Sequence, residues 1–439
     1  MPPVTEPIDL KKTLAQATTV AQLGVSPSLA VDLILRILFT EGDVNVGRIV
    51  EITRLYPQIV DDLMAELQHD RQVEVVKAGA MRVSYTYRLT EEGSNRARDA
   101  MERTQYVGAF PVDVDAYRRA IIAQTNERHR ISPGEVKQAL TGLILPENFH
   151  RRIGPAINSG SSLFLYGPPG NGKTTVAQAI AKLLAGSDPI WLPYAITIGG
   201  QIIQIYDPMV HVPFKSAGES ESPSGKTSFI GVDKRWGLFQ RPGVMVGGEL
   251  TMDALDLRFE PVTKVYEAPL QLKANGGMFL IDDFGRQQIS PQQLLNRWIV
   301  PLETRIDFLR LQSGQTLEIP FRQLIVFATN LDPKDLVDAA FLRRIQMKVE
   351  VGAPDEKMFY QIMTQLCQHY RVPFSKDGFV HLLQKWYREP KRPMQAVHPR
   401  DILKTVLAIA DYAGISPEMT PELIDEACAC YFVDLDGAV

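Results

Sequence analysis

The chain has 439 residues, a net charge of −4 and three cysteines. A length of this order suits about three domains and allows a large core, while the mixing of both signs of charge excludes a molecule-wide basic field for nucleic acid or an anionic membrane. Cys367, Cys428 and Cys430 fit a reducing compartment better than a disulfide framework, and the CAC pair reads as helix packing because it is too close for metal-ligand spacing.

The opening MPPVTEPIDLKK lacks the basic start and apolar centre of a secretion signal, and the most apolar early run, LAVDLILRILF, carries Asp32 and Arg36. A soluble, cytoplasmic protein without membrane insertion is expected. From Ser28 to Glu41, Leu29, Leu33, Leu35 and Leu38 recur at helical spacing, and EGD at 41–43 stops the pattern. Helical stretches at 47–55 and 57–68 follow, then VEVV at 73–76 and YTYRL at 85–89 alternate as strands around a glycine turn. This is the order of a winged helix-turn-helix, and YRLTEEG at 87–93 resembles the end of many such domains. DNA reading needs Lys and Arg beside the phosphates. Residues 28–70 instead hold eight acidic residues (Asp32, Glu41, Asp43, Glu51, Asp61, Asp62, Glu66, Asp70) against three basic ones (Arg36, Arg48, Arg54), a balance of −5. That charge favours a protein-docking or packing domain over 1–105.

Residues 106–134 read as a linker: a tether and a polar helix. From 135 to 351 strands and helices alternate, which predicts an α/β core with a parallel sheet, and 352–439 reads as all helix. KSAGESESPSGKTS at 215–228 interrupts the core as an expected mobile surface loop.

GPPGNGKTT at 167–175 lies between the apolar run LFLY and the helical run VAQAIAKLL, and Gly167, Gly172, Lys173 and Thr174 satisfy the G-x-x-x-x-G-K-[ST] pattern. Gly167, Pro168, Pro169, Gly170, Asn171, Gly172, Lys173, Thr174 and Thr175 are therefore candidate nucleotide-binding residues. The glycines let backbone N–H groups turn toward phosphates, Lys173 neutralises β and γ oxygens, and Thr174 offers its hydroxyl to Mg²⁺. SGKT at 224–227 shares the motif's tail, but Ser220 replaces the first glycine and no apolar strand leads in, so it is assigned to the loop. MFLIDDF at 278–284 is a buried strand ending in Asp282, the candidate metal carboxylate, and Asp283, which would orient the attacking water. LIVFATN at 324–330 ends in Asn330, suited to position that water.

Together, GPPGNGKT, FLIDD, the strand ending ATN, and the later LRR and HPRD resemble an AAA+ ATPase over roughly residues 135–439. The resemblance implies ATP and Mg²⁺ as cofactors and a homo-oligomeric, usually hexameric ring with ATP at subunit boundaries. It matches Asn330 to sensor 1 and Arg400, in HPRDILKTV at 398–406, to sensor 2 on a helical lid. In FLRRIQMKVEVGAPD at 341–355, Arg344 falls on the arginine-finger position with Arg343 beside it. The chain departs from most relatives in carrying Asp283 where they carry Glu. DFLRLQSGQTLEIPF at 307–321 reads as two strands around SGQ, a placement that resembles the hairpin of the branch containing MoxR-like ATPases, magnesium chelatase and transcriptional activator ATPases, and the overall resemblance is to a MoxR-like or chaperone-type bacterial member of the family.

WGLFQRPGVMVGGELT at 236–251 holds a glycine-flanked apolar run that fits either a central-channel loop or a buried hairpin. Asp207 and His211 are candidate metal ligands, weighed against ordinary loop hydrogen bonding. The leading expectation is a ring ATPase that remodels or assembles a protein partner recruited by the acidic winged domain. The alternatives are a DNA-associated regulator or motor, and a switch driven by ATP binding with slow hydrolysis.

Overall fold

The computed structural model describes residues 9–127, 130–215, 231–336 and 339–432, without the side chains of 335 and 339–341. The loop expected at 215–228 lies outside the described residues from 216 onward, and SGKT at 224–227 lies there with it. The chain divides into two units: Met1–Arg130, Leu184–Phe279 and Gln293–Leu324, and Ile131–Leu183, Leu280–Gln292 and Ile325–Val439.

In the first unit, the helices Pro27–Glu41, Val46–Thr53 and Pro57–His69 are followed by the strands Val73–Lys77 and Thr86–Leu89. Pro27 opens the first helix, where its missing N–H costs nothing, and Leu33, Ile34, Ile37 and Leu38 form its buried face. A two-residue strand, Val44–Asn45, joins the expected pair and gives the sheet order Val44–Asn45, Thr86–Leu89, Val73–Lys77. Two residues are too few to show alternation, so this strand has no local signature. Asp62 and Glu66 are exposed on the third helix and Asp70 is exposed at its C-cap, while Asp61 pairs with Arg82 at 3.3 Å.

Residues 106–126, expected as part of a linker, instead supply structure to this unit. Val112–Asp113 pairs in parallel with Ala195–Ile198, and the helix Val114–Asn126 buries Tyr117, Ala120 and Ile121 in a cluster with Ile196, Ile203 and Leu317. The polar composition of that helix concealed a narrow apolar face. Ala195–Ile198 and Gln201–Gln204 form an antiparallel hairpin around Gly199 and Gly200, whose φ values of 54° and 79° are those a two-residue turn requires. Trp236–Phe239 pairs with Ile190–Pro193, so 236–251 is not a hairpin with itself. Gly243–Val246 is a strand that buries Val244 and Val246 and leaves Met245 56% exposed, so only one of its three apolar side chains faces outward. Ile306–Arg310 and Thr316–Pro320 form the expected antiparallel pair.

The Asp207–His211 turn is held by hydrogen bonding. The Asp207 amide donates to His211 Nδ1 at 2.9 Å, and Lys273 Nζ donates to Asp207 Oδ2 at 2.8 Å. Among the described residues no group of three or more His, Cys, Asp or Glu converges as a metal cluster, and no helix is long and apolar enough to cross a membrane.

The second unit is built on the adjacent strands Met278–Ile281, Leu324–Thr329, Ser162–Tyr166 and Met347–Glu350. Ser162–Tyr166 runs parallel to both Leu324–Thr329 and Met347–Glu350. All six residues of Leu324–Thr329 are buried, the continuous apolar run that a sheet covered on both faces demands. Phe164 stacks on Phe327 at 5.8 Å, and Phe284 meets Phe327 edge-on at 5.0 Å. The tail is helical, with Glu356–Tyr370, Lys376–Leu383, His398–Ala413 and Pro421–Tyr431 closing over Phe359, Met363, Leu382, Ile402 and Val406. Asp355 caps the first of these by accepting from the Met358 amide. Cys428 is buried in this core, whereas Cys430 is exposed.

Candidate functional site

The strand Ser162–Tyr166 ends at a loop, and the helix Lys173–Ala185 begins immediately after it. Between them Gly167, Gly170 and Gly172 take φ values of 135°, 74° and 86°, conformations closed to most other residues. At Gly167 an added Cβ would stand 2.5 Å from the Val351 carbonyl oxygen, so only glycine fits there.

Beside this loop lies a cleft of about 560 Å³, lined by Gly170 through Val176, Asp282, Asp283, Asn330 and Arg400. Strand geometry brings the acids in: Asp282 follows Met278–Ile281, and Asn330 follows the adjacent Leu324–Thr329. Thr174 Oγ1 donates to the Asp282 carboxylate, at 3.0 Å from Oδ1 and 2.8 Å from Oδ2. Asn330 Nδ2 donates to Asp283 Oδ1 at 3.1 Å. Asp283 sits in the left-handed region at φ 48°, which costs a non-glycine residue about 1 kcal/mol. Gln287, unmarked by any motif, holds this turn by donating to the carbonyls of Asp282 at 2.8 Å and Asp283 at 3.1 Å.

Lys173 is 7% exposed, and its ammonium donates to the Gly167 and Pro168 carbonyls at 2.9 and 2.8 Å. Burial pulls its pKa below the ordinary lysine value, with the carboxylates of Asp283 and Asp282 opposing that shift. A phosphate arriving here would meet a cation already partly stripped of water.

The cleft is also lined by Leu143, Ile144 and Leu145, and by Ile362, Gln365, Leu366 and His369 from the helix Glu356–Tyr370. None of these carries a motif signal in the sequence. Ile362, Leu366 and His369 follow helical spacing, but so does any core stripe, and nothing local separates the two. Arg400 lies in the first turn of His398–Ala413, and its Nε donates to Asp401 Oδ1 at 2.8 Å.

Of the candidates, Gly170, Asn171, Gly172, Lys173, Thr174, Thr175, Asp282, Asp283, Asn330 and Arg400 are brought together around the cleft. Gly167, Pro168 and Pro169 are not part of its lining. Arg343 and Arg344 end the helix Ala339–Arg344 and also do not line it; Arg343 is exposed, and the Arg344 carbonyl accepts from Ser162 Oγ at 3.3 Å.

The oxygens of Thr174 and Asp282 suit a hard cation. Among the described residues no further His, Cys, Asp or Glu completes a cage, which fits Mg²⁺, an ion that takes its remaining ligands from water and phosphate.

The chain is 29% identical over 121 residues to a Corynebacterium jeikeium (strain K411) protein described as an AAA ATPase forming ring-shaped complexes. A stretch of this chain is AAA ATPase-like in sequence. That match covers 26% of this chain and 22% of the Corynebacterium protein, so the chain spans less than a quarter of the length of the curated relative it matches. Residues 355–430, the helical tail, match a family described as a domain of unknown function, DUF8689. Among solved structures, NtrX from Brucella abortus in complex with ATP is similar at a TM-score of 0.37 and 15% identity, over 69% of this chain and 57% of that one. A mutant RuvB from Thermotoga maritima is similar at a TM-score of 0.37 and 14% identity, over 68% of this chain and 74% of that one.

Proposed function

We propose that the chain is a magnesium-dependent AAA+ ATPase that works as a cytoplasmic ring and remodels or assembles a protein partner. The observation that carries this reading is the pairing of strand-end acids with their partners beside a glycine-rich loop: Thr174 on Asp282, and Asn330 on Asp283. In this reading Gly167 to Thr175 cradle the triphosphate, and Thr174 and Asp282 hold Mg²⁺, which would screen charge on the phosphate oxygens. Asp283 takes the proton side of the attacking water and Asn330 orients it. Arg344, with Arg343 beside it, would come from a neighbouring copy, which accords with neither lining its own cleft. The matched domain of unknown function at 355–430 would then be the lid, supplying Ile362, Leu366 and Arg400 to the nucleotide.

The N-terminal elements have the order of a winged helix, and the acids exposed on Pro57–His69 suit a protein partner better than a duplex. The hairpin Ile306–Arg310 and Thr316–Pro320 supports a MoxR-like, bacterial chaperone-type branch.

A second reading, an ATP-binding switch with slow hydrolysis, is favoured by the short Asp283, held in the left-handed region and hydrogen-bonded to Asn330. Steady-state ATP turnover of wild type and Asp283→Glu separates the two. Brisk wild-type turnover that the variant fails to raise supports the ATPase. A rise of about tenfold or more in the variant, from a slow wild type, moves the conclusion to the switch.

A further inference from the structure

The segment just before the Arg400 helix lies directly on the phosphate loop. The Val397 amide donates to the Gly170 carbonyl at 2.9 Å, and the Ala396 amide donates to Asn171 Oδ1 at 3.0 Å. Asn171 is 4% exposed and braces itself by donating from Nδ2 to the Pro168 carbonyl at 3.4 Å. At Gly170 an added Cβ would stand 2.6 Å from Gln395 Oε1 and 2.8 Å from Val397 Cγ1, so residues 395–397 occupy the space a side chain would need. Residues 225 apart in sequence are thus hydrogen-bonded within the wall of one cleft.

The motif fixes the residue type at Gly172 and Lys173 but leaves position 171 open, so a buried amide there needs its own explanation. Its carbonyl oxygen is the partner of a part-buried backbone N–H in the cleft wall. Arg400 follows Val397 by three residues, within the first turn of His398–Ala413. Whatever fixes residues 396 and 397 fixes where that guanidinium starts.

We propose that Asn171 is a positioning residue that fastens the lid to the phosphate loop and sets the placement of Arg400 on bound nucleotide. The proposal rests on the nucleotide-binding reading above. In it, the lid is registered to the loop by the protein's own hydrogen bonds, and nucleotide enters a cleft whose wall is already set.

The test is a double-mutant cycle on the full chain, with ATP binding measured by titration calorimetry in the presence of Mg²⁺. Asn171→Ala leaves the Ala396 N–H unpaired and is expected to weaken binding about tenfold. In an Arg400→Ala background the same change is expected to matter by less than about twofold, because the group it positions is gone. Ala396→Pro provides the second route, since it removes the donor while leaving Asn171 intact. It sits at the second position of the turn closed by the His398 amide on Gln395 O, where proline is tolerated. It should reproduce the Asn171→Ala loss. Equal losses in both backgrounds, or near-wild-type affinity in Asn171→Ala and Ala396→Pro, would overturn the proposal. Lys173→Ala serves as the control: its loss of binding alongside an unaffected Asn171→Ala sinks this proposal alone, whereas its normal binding sinks the nucleotide reading and this proposal together.

Discussion

Removing the Lys173 ammonium tests the phosphate loop most directly, because its cost to binding and its cost to folding separate. The ammonium lies against the Gly167 and Pro168 carbonyls at 2.9 and 2.8 Å, and the same loop supplies the candidate phosphate contacts. An ammonium about 4 Å from a phosphate charge, at an effective dielectric near 20, gains ~4 kcal/mol. Part of that is offset because the carbonyl contacts loosen when phosphate arrives, and a net of ~3 kcal/mol is about two orders of magnitude in affinity. Folding responds differently. Lys173→Ala loses two charge-assisted hydrogen bonds but also relieves the burial of a cation, opposing effects that leave stability within ~1 kcal/mol. Titration calorimetry with ATP and Mg²⁺ should therefore show binding lost or weakened about a hundredfold, beside an unfolding midpoint close to wild type without nucleotide. Affinity within about tenfold of wild type in a well-folded variant would refute the reasoning, since no rearrangement of neutral groups replaces a missing unit charge at that distance.

Arg344→Ala should leave ATP affinity near wild type and lower turnover by about three orders of magnitude, the scale of an arginine supplied to a transferring phosphoryl group. Its backbone bond to Ser162 survives the change, and mixing it with Lys173→Ala should restore activity if each copy supplies what the other lacks; normal turnover in the arginine variant alone would refute the shared site. His398 is buried with Nδ1 on the Tyr387 hydroxyl at 2.9 Å, and burial, with Arg392 adding to it and Asp401 opposing, lowers its pKa from 6.5 to about 4. The unfolded chain then binds a proton that the native helical tail does not between pH 6.5 and about 4, so stability falls across that window as pH drops, by up to ~3 kcal/mol, and levels off below it. Urea midpoints at pH 7.5 and 5 should show this fall in wild type and a smaller one in His398→Gln; equal falls would remove His398 as the cause.

The parts of the site that could be read from the sequence are those whose chemistry is contiguous. Gly170 to Thr175 stand out because a loop of the G-x-x-x-x-G-K-[ST] pattern combines backbone φ, a cation and a hydroxyl in one short stretch, while Gly167 to Pro169, in the same stretch, do not line the cleft. Asp282 and Asn330 were legible for a related reason: a parallel strand buried on both faces must be an unbroken apolar run, so the polar residue ending it stands out. Residues 106–126 misled because burial of Tyr117, Ala120 and Ile121 depends on strands roughly 70 to 200 positions later, and the helix taken alone is mostly polar. The apolar run at 243–246 left two readings open because its partners are not local, and alternation along the strand turns two of its three apolar side chains inward. Asn171 combines both cases. The motif drew attention to its position without giving its side chain a task, and the Ala396 amide that gives it one belongs to a backbone group, which carries no residue-type signal at all. Side chains around such a cleft can be recognised by type, whereas the hydrogen bonds that join residues 170–171 to 396–397 run through peptide groups common to every residue but proline, and only the fold can place them.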